Sequence, residues 1–150
     1  MEINGLPLHV LIVHAAVVFG PLAAVSALAY VGIPSWRDRL RWVTLALVLI
    51  ATGAIWTAYL SGENFLESDR FAGIAGTPVE DKIETHEGRA GILRWVVSGF
   101  AAVTILAIWQ HHRIGPVRIL LSALVAIGAV ATLIYTILTG DAGARAVWEQ

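Results

Sequence analysis

Five side chains of metal-ligand type stand out in a chain that is otherwise strongly apolar: His9, His14, Glu63, His86 and Asp141. Imidazole and carboxylate together suit a borderline ion such as Zn(II) or Cu(II), and a pair of imidazoles suits the axial positions of a b-type haem. A spacing of five residues turns His9 and His14 about 140° apart around a helix, so the two do not share a face. Each must find its partners elsewhere in the chain. There is no nucleophile–base pair and no H-E-x-x-H motif, so no catalytic residue is expected. Cysteine is absent, which excludes disulfides, thiolate metal sites and covalent c-type haem.

The elements that must position these residues are set by composition. Of 150 residues, 57% are hydrophobic and 14% charged, against about 45–50% and about 25% in a soluble domain. A soluble domain this small could not hide so much apolar surface. A net charge of −1, with Lys82 as the single lysine, leaves no basic face for nucleic acid. The chain reads as one all-α membrane domain, 1–150, partnered by the lipid bilayer.

A span needs about 20 apolar residues. Runs of that kind place helices at 8–31, 42–61, 88–110 and 119–139. The third must include Arg94, whose long stem can snorkel to the nearer interface. The opening segment has no basic n-region and carries histidines, so it is expected to stay as the first helix rather than be removed as a signal. Pro21 should kink that helix. Short connections between the first and second and between the third and fourth helices favour an up-down bundle. Ala23, Ala24 and Ala27, then Ala51, Gly53 and Ala54, then Ala126, Gly128 and Ala129, are the small residues expected at its seams.

Orientation follows from loop charge. The first connection holds Arg37, Arg39 and Arg41 against Asp38, and the third holds Arg113 and Arg118 with no acid. Both are expected in the cytoplasm. The loop 62–87 carries seven acids and two bases, so it and both termini are expected outside. The expected location is the inner membrane of a bacterium, as a multi-pass protein.

Counting 20 residues outward from each inner helix end puts the outer boundary near Ile12, Ser61, Gly91 and Leu138. All five ligand-type residues then fall within about 10 Å of depth, and every helix contributes at least one. His14 should lie inside the bundle and His9 at headgroup level. His111 and His112, in an arginine-bearing loop, read as interface residues. Two cofactors fit this cluster. Haem b would take His9 or His14 with His86, and Arg89 or Arg94 could pair with its propionates. A bare Zn or Cu ion would take His9, Glu63, His86 and Asp141.

The segments GLPLHVLIVH, SGENFLE, the stretch around His86 and TGDAGARAVW make the chain similar to a family of bacterial four-helix membrane proteins. That family is defined as a domain of unknown function, and the likeness is to its actinobacterial branch. The most specific parts are the LPLHPxxVH-like opening at 6–14 and the GHSGAxAVW-like close at 140–148. This chain departs from the pattern at Val10, where the family has proline, and at Asp141, where it has histidine. Relatives joined to Rieske iron–sulfur modules imply a redox setting. The resemblance and the residues together favour haem or metal binding in electron transfer, with a redox protein as the expected partner. A role without chemistry, as an accessory subunit of a larger respiratory or transport complex, is the alternative.

Overall fold

The computed structural model describes residues 2–3, 6–66 and 76–148. A two-residue ladder, β1 (Glu2–Ile3) with β2 (Leu6–Pro7), precedes four helices: α1 Leu8–Gly32, α2 Arg37–Leu66, α3 Pro78–Trp109 and α4 Pro116–Trp148. Each helix is long and apolar enough to cross a membrane, with mean hydropathy of 1.9 to 2.3 over its most apolar stretch. At most 39% of the residues in those stretches are buried inside the bundle. The faces turned outward are therefore as apolar as the core, which suits lipid and not water.

Proline and glycine punctuate the chain. Pro34, Pro78 and Pro116 each open a helical segment, where the missing N–H would have had no partner anyway. Gly115 precedes the last of these at φ +78°, a conformation that would strain any residue with a Cβ. The helices outrun the apolar spans. Residues 78–87, read as outer loop, are the first turns of α3, because Pro78 with Glu80 and Asp81 forms a strong helix start. Likewise α2 takes in Arg37, Asp38, Arg39 and Arg41. Polarity limits where a helix meets lipid, not where it stops. Residues 67–75 of the expected loop lie outside the described residues. α1 runs unbroken through Pro21.

Around the bundle, α1 packs on α2 and α4, and α3 on α4 and α2, giving an up-down ring. Of the expected seam residues, Ala23, Ala24, Ala27, Ala51 and Ala129 are buried, whereas Gly53 is exposed. Gly128 has a direct reason. A Cβ there would stand 3.1 Å from the Phe100 side chain and 3.2 Å from its Cα, so only glycine lets α3 and α4 approach this closely.

The bundle is a repeat of one hairpin. Counting from His9 along α1, buried residues fall seven, eleven, fourteen, fifteen, eighteen and twenty-one positions on, at Ala16, Gly20, Ala23, Ala24, Ala27 and Tyr30. Counting from His86 along α3, the same intervals land on Leu93, Val97, Phe100, Ala101, Thr104 and Ala107, all buried. Counting back from Gly62 in α2 and Gly143 in α4 gives matching buried positions again, from Ala58 to Thr44 and from Thr139 to Val125. With the ring order, this relates α1–α2 to α3–α4 by an approximate two-fold axis along the bundle, a parallel repeat. Among the aligned residues almost nothing is shared in sequence except the two histidines, the two glycines and a few others, so the repeat lies in burial register.

Candidate functional site

The repeat gives His9 and His86 the same job. His9 sits at the start of α1 and donates from Nδ1 to the Ala58 carbonyl near the end of α2, at 2.9 Å, with the Ser61 hydroxyl at 3.3 Å. His86, in α3, donates from Nδ1 to the Thr139 carbonyl near the end of α4, also at 2.9 Å. Each ring lies against a glycine one turn beyond its acceptor. A Cβ on Gly62 would meet His9 Cε1 at 3.1 Å, and one on Gly143 would meet His86 Cε1 at 2.9 Å. Both carbonyls lie inside their helices, where the N–H four residues on already reaches them, so the imidazole N–H from the antiparallel neighbour takes the oxygen's second lone pair. Arg89 does the same, donating to the Leu138 carbonyl at 2.8 Å. Each histidine is a clamp that closes its own hairpin.

The other expected site residues do not join them. His14 is exposed and donates back to the Val10 carbonyl of its own helix at 2.7 Å, so it lies on the outer face of α1 and not within the bundle. Asp141 is exposed and pairs with Arg145 one turn on, at 3.0 Å. Glu63 is exposed and engages the Tyr59 hydroxyl on its own helix. Arg94 is enclosed by aromatic rings: its guanidinium lies 3.9 Å from the Tyr59 ring centroid, with Trp56 at 5.4 Å and Trp95 at 5.5 Å. Trp56 in turn donates to Ser98 Oγ at 2.9 Å, joining α2 to α3.

The haem b or Zn/Cu expectation is therefore corrected. Among the described residues no three His, Asp or Glu side chains converge as an ion requires. Equal depth along four helices does not imply equal azimuth, and Glu63, His14 and Asp141 face outward while the two imidazoles are wedged inside separate hairpins. Each imidazole is instead committed through Nδ1 to a carbonyl of its own hairpin.

A connected polar arrangement among the described residues lies at the opposite end, where the short connections are. The Tyr30 side chain of α1 is fully buried, and its hydroxyl donates to His111 Nδ1 at 3.1 Å. His111 Nε2 donates to Asp38 Oδ1 at 2.6 Å. Arg37, nearly buried, stacks over the Tyr30 ring at 5.0 Å and donates to its oxygen at 3.5 Å. The Ala107 carbonyl of α3 is 3.4 Å from the same hydroxyl. Four side chains from α1, α2 and the segment after α3 thus form a hydrogen-bonded chain, Arg37–Tyr30–His111–Asp38, that joins the two hairpins. Sequence reasoning took His111 for an interface residue and passed over Tyr30. The signal available was a tyrosine at the end of an apolar run, seven residues before an arginine.

Comparison of the chain with protein-family models, curated proteins and solved structures finds no match in any of the three.

Proposed function

We propose that this chain is a multi-pass protein of a bacterial inner membrane that serves as a non-catalytic accessory subunit of a larger membrane complex, with both termini and the His9–His86 end outside. The observation that carries this reading is the engagement of both clamp histidines by backbone carbonyls of their own hairpins. Residues of ligand type are then structural, each such inter-helix bond contributing about 1 kcal/mol. The orientation rests on the arginines of the first and third connections. The resemblance set out above favours a respiratory complex as the setting.

Extraction of native membranes in a mild detergent, followed by native electrophoresis, tests the subunit role. The chain should migrate in an assembly well above its own 16.1 kDa, and migration as an isolated chain would overturn it. A cysteine at Ser35 should resist an impermeant thiol reagent in whole cells, and its labelling there would reverse the orientation.

A further inference from the structure

The approximate two-fold repeat makes two seams between the hairpins, α1 with α4 and α2 with α3. At the end that carries the chain termini the two differ in kind. On α2, Trp56, Tyr59 and Glu63 follow one another at helical spacing, and on α3 Glu87, Gly91 and Arg94 do the same. The two rows meet: the Arg94 guanidinium lies over the Tyr59 ring and beside Trp56, and a Cβ on Gly91 would stand 3.9 Å from Tyr59 Cε2. In the other seam the repeat sets Val10, Val17, Ile137, Gly140 and Ala144 at the positions of Glu87, Arg94, Trp56, Tyr59 and Glu63. None of those five is charged or aromatic. The bundle closes one seam without such groups, so packing alone does not call for them in its counterpart.

Arg94 is also incompletely satisfied. It lies three residues, about 4.5 Å, further in than the boundary counted at Gly91, where an unpaired cation is costly. The rings of Tyr59, Trp56 and Trp95 attract its charge but supply no oxygen to its N–H donors. Among the described residues no carboxylate pairs with it, and its Nε is closed off without a partner. The side chain is half-buried, so an acceptor from outside the bundle meets its Nη atoms.

The surroundings specify that acceptor. Helical side chains lean toward the helix N-terminus, which in α3 is toward Glu87, two turns above Arg94 on the same face. Glu63 is exposed and Glu87 half-buried, and both lie within electrostatic reach of the Tyr59 hydroxyl. One cation inside the boundary, with two carboxylates beyond it, complements a zwitterion whose anionic group lies deeper. A phospholipid with an amine-bearing headgroup has that order, phosphate at the glycerol and ammonium toward water. Trp95 and Ile92, exposed on either side of the Arg94 row, offer apolar surface to its chains.

We propose that the α2–α3 seam binds one such phospholipid, its phosphate accepting from the Arg94 guanidinium and its ammonium donating to Glu63 and Glu87. The phosphate supplies the counter-charge that the aromatic rings do not. This site does not depend on the accessory-subunit reading.

The test titrates the full chain, purified in detergent, with phosphatidylethanolamine, phosphatidylglycerol or the soluble headgroup glycerophosphoethanolamine, and counts bound molecules by native mass spectrometry. One phosphatidylethanolamine should be retained, more tightly than phosphatidylglycerol, and the soluble headgroup should not be. Arg94→Gln should weaken that retention by about tenfold or more. Arg89→Gln, whose parent side chain bonds the Leu138 carbonyl of α4, should leave it unchanged. Circular dichroism and gel filtration confirm that each variant is folded. Should Arg94→Gln not fold, Glu63→Gln with Glu87→Gln decides, since it should abolish the preference for phosphatidylethanolamine over phosphatidylglycerol. No retained lipid, equal retention by the wild type and folded Arg94→Gln, or no preference between the two lipids would overturn the proposal. Binding of the soluble headgroup as tight as that of the lipid would overturn it too, by making the ligand a free phosphate ester.

Discussion

The two ends of the bundle use histidine in opposite ways. At the end that carries the chain termini, His9 and His86 occupy equivalent places in the repeat, and each bonds a carbonyl within its own hairpin. At the end that carries the short connections, His111, just after α3, bonds both Tyr30 of α1 and Asp38 at the start of α2. The first arrangement closes each hairpin separately; the second fastens one hairpin to the other. Residue type alone weights the termini end, where histidines and carboxylates gather, yet the connected polar network is at the other. A polar group matters by what it touches.

The largest expected effect breaks the second arrangement. Tyr30→Ala removes a fully buried aromatic side chain and should destabilise the bundle by about 3–5 kcal/mol. Tyr30→Phe, which loses only the shared hydroxyl, should cost about 1–2 kcal/mol. Unfolding in mixed micelles measures both, and a Tyr30→Phe effect below that of removing one clamp histidine would mean that the connection end does not fasten the hairpins.

Next in size is Gly143→Ala. Its methyl would stand 2.9 Å from His86 Cε1 and Nδ1, an overpacking expected to cost about 1–3 kcal/mol. The cost should fall sharply when His86→Ala is already present, since the ring is what the methyl meets. Gly62→Ala should behave the same way toward His9, more mildly, because its contact is longer at 3.1 Å. Equal costs with and without the histidine would remove the clamp from the account.

The smallest effects sharpen the comparison by contrast. His14→Ala and Asp141→Ala each lose only an exposed partner within the same helix, and each should change stability by no more than about 0.5 kcal/mol. A loss of several kilocalories at Asp141 would restore it to a shared site with His86.

Some of this was legible before folding. The four helices, their order and their apolar character follow from runs of uncharged residues between clusters of charge, and Pro34, Pro78 and Pro116 mark where three helical segments open. The depth of each ligand-type residue could be counted as well, because rise per residue is fixed. What depth could not supply was azimuth. Counting placed His14 and Asp141 beside His9 and His86, and rotation about the helix axes sent the first two outward.

The amino-acid sequence by itself determined the helices, since hydrogen bonding four residues along the chain and a run of side chains apolar enough to cross a membrane are local properties of each segment. The tertiary structure alone decided that His9 and His86 are counterparts and that Tyr30 meets His111. Those facts depend on the rotation and axial offset of one helix against another. These are set by non-local packing such as Phe100 seating against Gly128, where a single methyl would press against the Phe100 side chain and backbone.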